Sequence, residues 1–479
     1  MFKDTKHPEV FDFFREISDI PRGSGNEKGI AEHLVSFAEK RGLYCVKDDA
    51  NNVFIRKGAT SAELSSKAPV VLQGHTDMVC EADAEVVHDF LRDPIEFIRN
   101  GDLLTASGTT LGADNGVAVA IMMALLDSDT IPHPELECLF TSSEETGMDG
   151  MTAFDTTLMK ARRMINLDSA VEGVATVSCA GGVRSDFTYA PVSVNADEGL
   201  TFYEIKLSGY YGGHSGEDIN LGRANAIESV ARMLRFIRES SPVYLVSWHG
   251  GEKDNAIPRE CKAVFAVSES VQLEEILQKV RAMIKRELIV DDSAFELDCW
   301  CCDKSEKVIT SISSDKIIDF VSSLHSGPVM MCRGIDDLVE TSYNLSVIRV
   351  TADSLKITVT SRSSVEESLD DMETRMHSIG RLAGFDVNCH SRYPGWKFAE
   401  VSPMRDTYLQ VYRDLFGTEG KAVGIHAGLE CGLLMKKVPD MDIISIGPDI
   451  KDLHSPSESL GISSLDRLYD IVCEILKRI

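Results

Sequence analysis

The chain has 479 residues, 43% hydrophobic and 26% charged, a soluble globular composition too long for one hydrophobic core, so two domains are expected. Its 49 basic residues stand against 76 acidic ones, a net charge of −27, which argues against nucleic acid as the main partner because affinity there comes from neutralising phosphates. No apolar run is long enough to span a bilayer, and the opening MFKDTKHPEVFDFF lacks the regions of a signal peptide, so a cytoplasmic protein without a membrane partner is expected.

The N-terminal third alternates helix and strand. PEVFDFFREISDI (8–20) has helical apolar spacing, and SGNE (24–27) reads as a capping box opening a second helix that ends at Gly42. Strands follow near YCVKDDANNVFIRKG (44–58) and APVVLQG (68–74). GVAVAIMMALLDSD (116–129) predicts a helix apolar enough to lie against a sheet. ELECLFTSS (135–143) and RRMINLDS (162–169) each end a strand-like run in polar residues. This alternation predicts an α/β domain with helices around a mixed sheet.

After GVATVSCAGGVRSD (173–186) the texture changes. TFYEIKLSGYYGGHSG (201–216), KAVFAVSES (262–270), VQLEEILQKVRAMIKRE (271–287) and SLKITVTSRSS (354–364) predict an antiparallel α+β region. The first texture resumes after YPGW (393–396), with a helix at MRDTYLQVYRDLF and a strand at MDIISIG. The expected organisation is one domain, 1–184 plus 397–479, interrupted by another at 185–396. The cluster CWCC (299–302) lacks the paired CxxC knuckles of a zinc ribbon, and the 12 cysteines are expected to be reduced thiols.

Acids and histidines collect where predicted strands end. GHTD puts His75 and Asp77 past the APVVLQG strand; alone, the pair reads more simply as a loop histidine satisfied by its neighbour. Asp114 in LGADNGVA precedes a helix, where an N-cap is the simpler reading. TSSEETG places Glu144 and Glu145 side by side, two carboxylates that repel unless a cation sits between them. Asp168 ends NLDS, and His454 lies in DLHSPSES. Chemistry in open α/β sheets gathers past the carboxyl ends of strands. Nitrogen and oxygen donors without thiolates suit zinc, with manganese or cobalt as rivals. Five ligands and a spare carboxylate exceed the needs of one catalytic zinc and fit two metals sharing a bridging carboxylate.

GHTDMV, GADNG, SSEETG, NLDS and DLHSPSE resemble, in order, the metal-site motifs of the dinuclear zinc peptidase family that contains carboxypeptidase G, aminoacylase, carnosinase and peptidase V. CAGG (179–182), LVETSYNLSV (338–347), RYPGW (392–396) and IHAGLECG (425–432) resemble the family's Xaa-His dipeptidase branch. The resemblance implies two Zn2+ per chain, with Co2+ or Mn2+ as substitutes: His75 and Asp168 on one, Glu145 and His454 on the other, and Asp114 between them. It makes Glu144 the general base and Asp77 the carboxylate that orients His75.

The inserted domain is implied to be a lid and a dimerisation element. Its His214, in GYYGGHSG, would stabilise the oxyanion, and Asn255, in DNAIP, would contact substrate; without the resemblance these read as a turn histidine and a loop asparagine. Glu430 of IHAGLECG reads equally as a contact for the substrate amine or as a capping acid. An arginine is expected for the substrate carboxylate, and Arg333, Arg349 and Arg362 are candidates with none singled out. The expected activity is hydrolysis of unblocked dipeptides, Xaa-His included, by a cytoplasmic homodimer acting on small peptides. An aminoacylase or tripeptidase of the same family is the alternative. A non-catalytic peptide-binding relative is the other, and it would have no need of Glu144.

Overall fold

The computed structural model describes residues 1–268, 272–288 and 294–479. Glu269, Ser270 and Val271, at the junction of the predicted strand and helix there, lie outside the described residues. Its contacts form two units: Met1–Ser178 with Phe398–Gly424 and Leu429–Ile479, and Cys179–Lys397 with Ile425–Gly428.

The first unit is built on an eight-stranded mixed sheet. Its order is Tyr44–Lys47, Val53–Lys57, Leu136–Thr141, Val70–His75, Arg163–Asn166, Asp442–Ser445, Val174–Cys179 and Lys421–Ile425. Val70–His75 runs parallel to both neighbours, with His75 level with Thr141. Val70, Val71 and Leu72 have no exposed surface, as expected of a strand covered on both faces; each contributes about 1.5–3 kcal/mol relative to exposure. The helix Ala113–Asp127 is buried on nearly every side. That is why its sequence is apolar all round instead of striped. The fold class read from the sequence is the one found.

The predicted capping box differs. The helix Lys28–Lys40 forms and Gly42 closes it at φ 65°, but Ser24 does not cap it. The Ser24 hydroxyl donates instead to Asp77 at 2.8 Å, and Glu27 accepts from Gly25 N–H and from the Ser143 hydroxyl. A buried carboxylate from a distant loop outcompetes the local backbone for the serine. A small four-stranded sheet pairs Ser459–Gly461 with Leu103–Ala106, joining the segment after His454 to the one before Asp114.

The second unit holds a nine-stranded antiparallel sheet. Its order is Glu296–Cys301, Leu200–Ser208, Cys261–Ser268, Tyr244–Gly250, Val339–Val350, Leu355–Ser363, Gly181–Tyr189 and Asp386–Tyr393, with Gly327–Met331 beside Val339–Val350. Its main core, with Phe187, Leu234, Trp248, Phe265 and Leu345, joins one face of the sheet to the helices Ala226–Arg238, Leu273–Glu287, Ser311–Ser323 and Glu366–Ala383. A separate ribbon pairs Gly213–His214 with Ala256–Ile257. No disulfide links any of the cysteines. Among the described residues no helix is long and apolar enough to cross a membrane.

Candidate metal centre

Each predicted donor of the first unit stands just past a strand or at a helix start. His75 ends Val70–His75, Glu144 and Glu145 follow Leu136–Thr141, and Asp168 follows Arg163–Asn166. Asp114 opens the helix Ala113–Asp127 with a non-helical backbone, and His454 has left-handed φ of 60°. Three overlapping donor groups result: His75–Asp114–Asp168, Asp114–Glu145–His454 and His75–Glu144–Glu145, each with ligand atoms within 4.8 Å of one another. His75 Nε2 lies 3.1 Å from Asp114 Oδ1 and 3.4 Å from Asp168 Oδ1. His454 Nε2 lies 3.2 Å from Asp114 Oδ2 and 3.1 Å from Glu145 Oε2.

A layer of buried polar groups fixes these side chains. His75 Nδ1 donates to the carbonyl of Asp77 at 3.1 Å, with the Asp77 carboxylate 3.4 Å away. That carboxylate accepts from the backbone N–H groups of Glu144 and Glu145, so one aspartate ties the histidine to the glutamate turn. Arg22, fully buried, donates to the carbonyls of Thr76 and Asp77 and, at 2.6 Å, of Gly112. A Cβ on Gly112 would lie 2.6 Å from that guanidinium, and its φ is 68°, so this position requires glycine on both counts. Glu430 is fully buried, accepting from Gln73 and Thr141, while Gln73 accepts from Asn166.

Glu458 was not foreseen. Four residues beyond His454, its carboxylate accepts from the backbone N–H groups of Leu111, Gly112, Ala113 and Asp114 at 2.8–3.2 Å. A further acid in SPSE was the visible signal, and its low exposure of 2% distinguishes it from a solvated loop acid.

Electrostatically the centre is a set of acids short of positive charge. Seven carboxylates (Asp77, Asp114, Glu144, Glu145, Asp168, Glu430, Glu458) gather around two imidazoles and Arg22. Two carboxylates about 5 Å apart repel by about 3 kcal/mol at an effective dielectric of about 20. Burial, with the repulsion of Asp168, Glu430 and Glu145, raises Glu144 well above the usual range against the pull of His75. Burial pushes Asp168 up to about 6 and Glu430 up to about 7. The carboxylates of Asp114 and Glu145, accepting from its ring, push His454 up to about 10. Burial by itself would depress His75, yet Asp168, Asp114 and Asp77 hold it well above its ordinary value. Glu145 Oε1 is buried with no partner. Divalent cations would relieve all of this, and the donors are those that borderline-hard metals take. The residues fit the implied metals.

In the second unit, His214 Nδ1 accepts from the backbone N–H groups of Gly216 and Glu217, which leaves the proton on Nε2. Burial and then Arg362 lower its pKa, keeping it a neutral donor. Asn255, exposed, precedes the ribbon strand paired with His214, and its carbonyl accepts from Ser215. The three arginines separate. Arg333 is exposed, and Arg349 is held by Glu252 and the Gly250 carbonyl. Arg362 is buried; it donates to the Tyr393 and Ser215 hydroxyls, and its Nε has no partner. His426 lies near Arg362 and bonds Ser342 at 2.7 Å; burial and then that arginine lower its pKa to about 3.

A mixed sheet whose strand ends gather two donor sets around one aspartate is the architecture of a metallopeptidase catalytic domain. Residues 71–478 match Peptidase family M20/M25/M40, and the chain belongs to that family. It is 36% identical to the cytosol non-specific dipeptidase of Escherichia coli (strain K12), over 98% of this chain and 97% of that protein. The crystal structure of aminoacylhistidine dipeptidase from Vibrio alginolyticus matches with a TM-score of 0.95 at 32% identity, covering 100% of this chain and 98% of that one. A tripeptidase from Staphylococcus aureus shares the fold, with a TM-score of 0.57 at 15% identity over 99% and 98% of the two chains.

Proposed function

We propose that the chain is a metal-dependent dipeptidase acting on unblocked dipeptides, Xaa-His among them. One observation carries the reading: Asp114 turns one oxygen to His75 and the other to His454, at 3.1 and 3.2 Å, so a single carboxylate joins two donor sets. In this reading His75 and Asp168 would hold one Zn2+ and Glu145 and His454 the other, with Asp114 shared between the two donor sets, and Co2+ or Mn2+ could substitute. Such a cation pair, when bound, acidifies water and polarises the scissile carbonyl.

Glu144 takes the proton of the attacking water on its carboxylate and passes it to the leaving amine. Its carboxylate has no hydrogen-bond or ion-pair partner among the described residues, whereas Glu145 engages His454. Burial raises its proton affinity, which suits a group that must hold a proton between two steps. Asp77 orients His75 and anchors the turn that carries both glutamates. From the inserted domain, 185–396, which we read as a lid, His214 donates from Nε2 to the oxyanion, and Asn255 contacts substrate. Arg362 receives the free carboxylate, being the buried candidate and having no acid partner among the described residues. Glu430, fully buried on Gln73 and Thr141, supports the floor under His75 instead of reaching a substrate amine.

The E. coli relative's designation as a cytosol enzyme supports a cytoplasmic location. A homodimer follows from the resemblance to histidine dipeptidases, and sedimentation of the purified protein tests it. The decisive experiment is a peptide panel on metal-reconstituted enzyme. Free dipeptides should be cleaved at least about 100-fold faster than their amidated or N-acetylated forms, because a buried arginine left without its carboxylate is costly. A chelator should abolish the activity. Faster turnover of N-acetyl amino acids than of any free dipeptide would replace the dipeptidase with an aminoacylase.

A further inference from the structure

The sheet of the second unit lines up basic side chains on its face away from the main core. Cross-strand register pairs Lys206 with Lys262, Lys262 with His249, His249 with Arg349, and Arg349 with Lys356, across five neighbouring strands. Residues directly opposite share a face. Their chain neighbours Leu207, Ala263, Trp248, Ile348 and Ile357 belong to the core under the helices, so the row lies on the other side. Like charges directly opposite one another destabilise a sheet. A row of four cations around an imidazole in a chain of net charge −27 therefore calls for a function.

The outer members have partners: Lys356 bonds Asp186 at 2.8 Å, and Arg349 bonds Glu252 at 3.2 Å. The Lys206 and Lys262 side chains have neither hydrogen bond nor ion pair among the described residues. Asp298, across from Lys206, is engaged by Arg281 at 3.3 Å. The His249 imidazole is held below its ordinary range, first by burial and then by Arg349 and Lys262, against the opposing pull of Glu252. Lys206, Lys262 and His249 line one cavity of about 780 Å³, whose wall also includes Lys253, Arg259 and Tyr211 beside the apolar Ile257 and Pro258. Its two acids, Glu252 and Glu260, face Arg349 and Arg259.

We propose that this cavity is a second ligand site, which binds a small polyanion carrying two or more neighbouring phosphoryl or carboxylate groups. Lys206 and His249 are two strand spacings apart, about 10 Å, so the row meets several negative groups of one molecule at once. The volume is that of a small-molecule site.

The test is calorimetric titration of the full-length, metal-loaded protein with inorganic pyrophosphate and, separately, citrate at constant ionic strength. Four proteins are compared: wild type, Lys206→Ala/Lys262→Ala, Lys285→Ala on an exposed helix face as a charge control, and His75→Ala. Both row lysines are exposed, so the double variant keeps its fold. The proposal expects wild-type binding of at least one probe, weakened at least tenfold in the double variant. The same binding should be unchanged in Lys285→Ala and retained in His75→Ala. The better probe tells phosphoryl from carboxylate recognition. The site is refuted if neither probe binds, if the double variant binds as well as wild type, or if His75→Ala alone abolishes binding, which would place the anion on the metals.

Discussion

Glu144 and Glu145 are adjacent in the chain, yet their carboxylates meet different surroundings. Ser143, at φ 54°, turns the chain so that the two acids begin a single short turn whose N–H groups rest on Asp77. Glu145 reaches His454, while the Glu144 carboxylate has no hydrogen-bond or ion-pair partner among the described residues. Glu144→Gln should therefore lower kcat about 10³-fold while metal content, read by elemental analysis, stays that of wild type. Glu145→Ala should lose about one metal per chain, since it removes a ligand. Metal loss in Glu144→Gln with an unchanged rate per bound metal would reverse the two roles. The motif SSEETG made both acids visible as candidates. Which of them is free depends on the placement of His454, some 300 residues away, and no local pattern carries that.

At the scale of elements, the loop that delivers Asp114 is held from both sides. Arg22 takes its carbonyl at Gly112, and Glu458 takes four of its N–H groups. These N–H groups precede and open a helix whose first turn has no partners of its own, so the acid serves as a remote cap. Because Glu458 follows His454 on the same segment, it links two of the donor-bearing loops. Glu458→Ala should weaken metal retention 10–100-fold in competition with a chelator, with glutamine recovering part of the loss. Equal metal affinity in wild type and Glu458→Ala would reduce the residue to a fold-stabilising contact. Helices and strands were legible here because apolar period and turn residues are local; the Ser24 cap failed because Asp77, 53 residues on, claimed its hydroxyl.

For the whole molecule, the consequence of the centre is stability that depends on bound cation. Repulsion among buried acids opposes folding of the first unit, and ligands that bind only the folded state stabilise it by mass action. Removing the metals should lower the thermal midpoint, read by calorimetry, and adding zinc back should restore it; a midpoint indifferent to chelator would contradict a centre built on cations. The sequence by itself determined the donor types, their order, their positions past strand ends and the two textures of the chain, because periodicity and short motifs are properties of neighbouring residues. Tertiary structure alone decided that Asp114 meets both His75 and His454, separated from it by 39 and 340 residues, because sheet order and the small sheet joining their loops set that meeting. It alone decided the basic row as well. Residues 206, 249, 262, 349 and 356 become neighbours only through cross-strand register, which pairs positions far apart in the chain.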